Sequence, residues 1–356
     1  MSTAAATAVI DCGVHPIVRD DDELRAFMPA PWRRKLFPGP QRYHYAHPDS
    51  EYLAGSRPGR DRPGSDVALL EQHVFGDAGA THAVLLPLTR GLSPDVDLGS
   101  MICAATNAWL AETWLGERNH HGRFRGSIRV NAHDPRRAVE QIERWRDHPG
   151  MIQVAVPTEA HAPYGRREYF PIWEAAADAG LPVVVHSDTA AGVELFPTPV
   201  GYFRHFIEFS AYASMNFFYH LSNLIAEGVF ERLPRLKVVF ADGGLDVLGP
   251  LMWRLDEHWR ALRYEHPWVA HAPTEYLREH VRFWTHRLEG PTDEAAVADV
   301  LEVTDAAALE VYAGRYPYWT YCAPGDAVRG APPVAAERIL AGTARDLYAG
   351  AFEEPA

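Results

Sequence analysis

The chain has almost no lysine. Lys35 and Lys237 are the only two in 356 residues, and all other fixed positive charge is arginine. That is read as a bias of composition. Basic charge is also short overall: 34 Lys and Arg face 47 Asp and Glu, a formal net charge of −13. A surface of that sign argues against binding a phosphate backbone, so no nucleic-acid partner is expected. Cysteine is scarce and odd in number (Cys12, Cys103, Cys322), with no C-x-x-C spacing. A disulfide framework and a thiolate metal site are both excluded, and a reducing cytoplasm fits. No long apolar run exists, and the opening "MSTAAATAVIDCG" lacks a basic region. Neither a signal peptide nor a membrane span is expected. Residues 1–7 read as a disordered leader, and 8–356 as a single domain.

What is present is a rhythm. Short Val/Ile-rich runs fall at 8–12, 82–88, 124–130, 151–157, 181–186, 236–241, 280–285 and 309–314, as buried parallel strands should. Helical segments lie between them at 97–115, 134–148, 169–180, 220–234 and 337–350. "DPRRAVEQ" starts with Asp then Pro, and "EAAADAG" stops at a glycine. Eight alternations predict an α/β fold, a (β/α)8 TIM barrel, rather than an open sheet. Two stretches break the pattern. Residues 16–75, rich in Pro, Arg and aromatics, read as a lid-like excursion after strand 1, and 189–219 as a second one, both over the barrel mouth. In "GPLMWRLDEHW" (249–259) helical spacing assigns Trp253 to the core and Arg254 or Asp256 to a subunit contact.

Chemistry in such barrels sits at the C-terminal strand ends. Strand 1 ends in "DCGVH", where simple alternation sets Asp11, Gly13 and His15 on one face and Cys12 on the other. Strand 5 ends in His186, strand 6 in Asp242, and strand 8 runs into Arg315. These four, His15, His186, Asp242 and Arg315, are the candidate catalytic set. Asp11, His220, His286, Arg287, Tyr318 and Trp319 are candidates for substrate contact. His220 has a bland alternative as a packing residue of its helix, and the aromatics around Tyr318 as core or interface.

The segments "VIDCGVHP", "GRREYFPIWEAAADAGLPVVVHSD", "LIAEGVFERLPRLKVVFADGGLDVLGPLMWRLDEHW", "PTEYLREHVRFWT" and "YPYW" resemble the amidohydrolase-2 branch of the amidohydrolase superfamily. That branch includes metal-dependent decarboxylases of the aminocarboxymuconate-semialdehyde and resorcylate type. The resemblance implies a divalent metal held by two strand-1 residues, a strand-5 His and a strand-8 Asp, with a strand-6 residue beside it. His15 matches the second strand-1 ligand, His186 the strand-5 ligand and Asp242 the strand-6 residue. The first strand-1 position is Gly13 and the strand-8 Asp position is Arg315, while Tyr318 replaces a following His. Glycine donates nothing to a metal, and a guanidinium has no lone pair and repels a cation. No metal and no other cofactor is therefore expected. Arg315 would hold or polarise an anionic group, with His15 and His186 as acid or base.

The expected protein is a metal-independent lyase, decarboxylase-like, or a hydrolase, acting on a small anionic, aromatic or conjugated acid. Two alternatives stand beside it. One is a metal enzyme with an atypical site completed by Asp11, and the other a pseudoenzyme in which Arg315 and Asp242 plug a dead pocket. Relatives of this type imply a homodimer.

Overall fold

The computed structural model describes residues 8–35, 52–88, 93, 95–187, 204–241, 243–244, 247–285 and 291–353. Eight parallel strands form one sheet in chain order: β1 (Ile10–Val14), β2 (His82–Leu85), β3 (Phe124–Arg129), β4 (Met151–Pro157), β5 (Val183–His186), β6 (Val238–Phe240), β7 (Val281–Thr285) and β8 (Glu310–Tyr312). All eight expected strands are there. The barrel closes just past β8, where Val14 bridges Tyr316 in parallel and the Arg315 amide donates to the Gly13 carbonyl at 2.8 Å. Helices fill the crossovers, so the architecture is the (β/α)8 barrel.

Local chemistry explains the punctuation. The helix Pro135–Trp145 opens on Asp134, whose carboxylate accepts from the Arg137 amide, with proline in its first turn. This is a position where a missing N–H costs nothing. The helix Phe170–Ala179 ends at Gly180 in the left-handed conformation, φ 68°. The expected helix at 220–234 is longer and earlier: it spans Phe206–Ala226, and Gly228, φ 71°, separates it from a short turn at Val229–Arg232. The described end of the second excursion is therefore helix. Residues 189–203 lie outside the described residues.

Apolar side chains divide between two clusters. The larger lies between strands and helices and includes Val14, Phe124, Val154, Phe240 and Tyr312. The smaller fills the barrel interior with Ile10, Cys12, Leu86, Ala155, Val184, Val239, Trp284, Val311 and Ala313, and Tyr348 packs into it after the last helix. Burying each of these large aliphatic or aromatic side chains is worth about 1.5–3 kcal/mol.

Two expectations on the 249–259 helix are corrected. Trp253 is 48% exposed rather than core. Asp256 is buried and accepts from the Thr274 amide (3.0 Å) and hydroxyl (2.6 Å), so it ties two helices together, and of the two subunit-contact candidates only Arg254 is exposed. No described helix is long and apolar enough to cross a membrane.

Candidate active site

β1 does not alternate simply. Ile10 and Asp11 pair with His82 and Ala83, but the next pair is Val14 with Leu85. Three β1 residues advance against two of β2, a bulge that inserts one residue and resets the facing of the residues after it. The expected grouping of Asp11 with Gly13 and His15 is thereby corrected. Cys12 packs inside the barrel with Trp284 and Ala313, whereas Asp11 turns to the outer side beside Tyr312.

There Asp11 accepts through Oδ1 from the amides of Gly13 (3.0 Å) and Gly314 (2.7 Å), stitching β1 to the segment after β8. Burial pushes its carboxyl up to about 6, against the opposing pull of those two amides. Asp11 thus faces the helix side of the sheet, opposite Cys12 and the barrel interior. The substrate contact expected of it does not suit that position.

His15 follows the bulge and is fully buried. Its ring lies 5.0 Å from that of His186, edge to face, and 5.5 Å from Tyr318. Trp284 floors the pair, 6.4 Å from His15 and 5.7 Å from His186. Nδ1 of His15 lies 2.9 Å from the Leu86 carbonyl, and Nδ1 of His186 lies 2.7 Å from the Ser187 carbonyl. A carbonyl only accepts, so each Nδ1 carries a proton, and when the ring is neutral its Nε2 holds the lone pair. That tautomer suits a general base and a metal ligand equally.

Gly13 and Arg315 bear on the choice between them. A Cβ built on Gly13 would lie 2.6 Å from Ala313 Cβ and 3.2 Å from Ala313 Cα. β8 thus packs into the space where a ligand side chain would begin. Arg315 is half-buried and held at φ 66°, a left-handed conformation that is rare and costly for a long side chain. Its carbonyl accepts from the Tyr318 amide at 2.9 Å. Such outliers concentrate where a site needs a group held in one place. Among the described residues, no three His, Cys, Asp or Glu side chains converge to hold a metal ion. Two imidazoles, a glycine and a guanidinium do not make up a divalent-ion site among the described residues. Asp242, His286 and Arg287 lie outside the described residues.

The aromatic candidates separate. Tyr318 stacks on Tyr52 of the first excursion, 5.6 Å between rings, and the Leu53 amide donates to the Pro317 carbonyl at 2.8 Å. Trp319 is turned outward, 41% exposed. His220 sits mid-helix and fully engaged: Nδ1 accepts from the Tyr164 amide (3.2 Å), and Nε2 donates to the Thr158 carbonyl (2.7 Å). Its ring stacks on Tyr164 at 4.3 Å. Burial depresses its pKa to about 4. It braces the loop after β4 and is the packing residue of its bland reading.

One residue escaped the sequence reading. Arg129, the last residue of β3, is wholly buried. The alternation Arg125, Ser127, Arg129 against Phe124, Gly126, Ile128 carried the signal.

The amidohydrolase family model matches residues 10–350, and the chain belongs to that family. It is an enzyme of the amidohydrolase superfamily. Among solved structures it is similar to an amidohydrolase from Mycobacterium avium subsp. paratuberculosis K-10 (20% identity, TM-score 0.69, 97% of this chain and 100% of that one). It is also similar to a 2,6-dihydroxybenzoate decarboxylase complexed with 2,6-dihydroxybenzoate (16%, 0.65, 96% and 99%). A third is a dihydroxybenzoic acid decarboxylase from Polaromonas sp. JS666 with bound manganese and 2-nitroresorcinol (16%, 0.64, 96% and 97%). At these identities the likeness carries the fold.

Proposed function

We propose that this chain is a decarboxylase-like lyase that works on a small aromatic or conjugated acid without the family's metal. The observation that carries the proposal is the contact between Gly13 and Ala313, which closes the first ligand position, together with a guanidinium at the last. In this reading Arg315 supplies the fixed positive charge that a metal supplies in a relative such as the manganese-bound decarboxylase. The carbon–carboxylate bond breaks, carbon dioxide leaves, and the electron pair left on carbon is stabilised by delocalisation toward an oxygen facing the guanidinium. An imidazolium, His15 or His186, then delivers the proton that completes the product. Asp242 and the pair His286 and Arg287 are proposed to complete the pocket, and Tyr52 with Tyr318 to form part of its cover. The soluble homodimer expected from the resemblance is carried into this proposal.

The test is elemental mass spectrometry of untagged protein, run beside turnover of 2,6-dihydroxybenzoate with and without a chelator. The expected result is no stoichiometric metal, with any carbon dioxide release insensitive to chelation and lost in Arg315→Met. Stoichiometric manganese or zinc, removed together with activity by the chelator, overturns the metal-free reading. It would leave His15 and His186 as ligands through their Nε2 atoms.

A further inference from the structure

The barrel interior holds a second arginine that no comparison assigns. Arg129 faces inward on two independent grounds. It pairs laterally with Ala155, a member of the interior cluster, and laterally paired residues of parallel strands share a face. Two residues earlier, the Ser127 hydroxyl accepts from the Gln153 amide at 2.7 Å, and Gln153 in turn accepts from the hydroxyl of interior Tyr348.

Its height in the barrel also follows from the register. Arg129 lies opposite Ala155, and Ala155 opposite Val184. In an eight-stranded barrel with a shear of about eight, the level rises by roughly one residue per strand, so alternate strands fill common layers. Two strands beyond Arg129, the level residue is His186. Two strands back it is His15. β1, β3 and β5 therefore contribute His15, Arg129 and His186 to one layer at the C-terminal end.

The chain also invests in holding Arg129 there. β2 ends its pairing with β3 at Leu85 and Gly126, which leaves the Arg129 peptide without a strand partner on its β2 side. Asn107, from the helix Val96–Trp109, takes its place. Oδ1 accepts from the Arg129 amide at 2.7 Å, and Nδ2 donates to the Arg129 carbonyl at 2.9 Å.

We propose that Arg129 binds the anionic group of the substrate that stays through the reaction, a spectator carboxylate or phenolate on the ring. This rests on the lyase reading above. A permanent cation against the departing carboxylate would hold the electron pair that must flow into carbon, so the group it grips is the one that remains. Arg315, just past β8 and bonded through its amide to the Gly13 carbonyl, meets the charge that develops. The substrate class is accordingly an acid with a second anionic or readily ionised oxygen substituent.

The experiment is calorimetric titration of the full chain and its variants with sodium benzoate, using benzyl alcohol as the neutral probe of the same ring. Benzoate is expected to bind the wild type, and Arg129→Met to weaken it at least about tenfold, the scale of a lost charged hydrogen bond. Benzyl alcohol binding should not change. Arg129→Lys, read in the same way, is expected to fall between the two, because it keeps the charge and loses the fork. It also decides the matter if the methionine variant does not fold. Benzoate affinity that falls only in Arg315→Met overturns the role of Arg129 while leaving the proposed function standing. Benzoate that fails to bind the wild type, or binds every variant alike, overturns the role of Arg129, and the metal and chelator measurement decides the lyase reading separately.

Discussion

Ala313 occupies the space in which any side chain at position 13 would begin: 2.6 Å separates its Cβ from one built on Gly13. Real Cβ atoms do not approach so closely, so the two positions are coupled. Either β1 carries a glycine or β8 moves. Restoring a metal ligand to this barrel is thus a change to its wall as well as to its site.

The first prediction concerns that contact. Gly13→Ala is expected to lose about 1–3 kcal/mol to overpacking, and Gly13→His, which must place a whole ring there, more than that. Gly13→Ala with Ala313→Gly should recover most of the loss, because the clash is pairwise. Urea denaturation of the two singles and the double gives the cycle. A coupling energy near zero would mean that the strands separate freely at this level.

The second prediction concerns Asn107, whose side chain replaces β2 beside Arg129 and also donates from Nδ2 to Gln141 Oε1 at 3.2 Å. Asn107→Leu, close in shape, orphans a buried amide and a buried carbonyl, each costing about 1–3 kcal/mol. The expected loss is therefore large for a single side chain, read as a drop in urea midpoint with an unchanged slope. A loss below about 0.5 kcal/mol, the range of ordinary surface changes, would show that the Arg129 peptide finds other partners.

Much of the fold and part of the site were legible in the sequence, and for physical reasons. Runs such as "VVVH" and "MIQVAVP" have one reading, because a strand covered on both faces must be apolar throughout. His15 and His186 stood out because a polar group ending such a run has a single place to go. The bulge in β1 did not stand out. Nothing in "IDCGV" distinguishes a strict alternation from one with an inserted residue, and that single residue moved Asp11 from the pocket to the helix side of the sheet. Arg129 was hidden by the opposite error. "FRGSIRV" reads as one more apolar strand until its alternate residues are seen to make two faces of different kind. His220 could not be placed from sequence, because its two hydrogen-bond partners, Tyr164 and Thr158, lie 56 and 62 residues away.

The last prediction combines two buried titrating groups of opposite sign. Asp11 is raised to about 6 from an ordinary 3.8, so the folded chain holds a proton that the unfolded chain has lost. Its contribution to stability is full below about pH 4 and declines as pH rises to 6, by roughly 3 kcal/mol at 1.36 kcal/mol per unit. His220 is lowered to about 4 from 6.5, so the unfolded chain takes the proton first. Its contribution is full above pH 6.5 and declines as pH falls to 4, by roughly the same amount. Between pH 4 and 6 these two slopes oppose each other, on top of the rise with pH that the other depressed histidines, His82 and His133, give every variant. Asp11→Asn keeps an oxygen for the Gly13 and Gly314 amides and removes the proton, so its stability should climb with pH across this window. His220→Gln keeps a donor for the Thr158 carbonyl and forfeits the Tyr164 amide. It should start about 1–3 kcal/mol lower and gain less stability than the wild type as pH rises. Urea melts of the three proteins at half-unit steps from pH 4 to 7 read the slopes directly. Parallel curves would mean that neither group titrates differently in the folded and unfolded chains, and that the clamp between β1 and β8 is held by hydrogen bonds with no cost of charge.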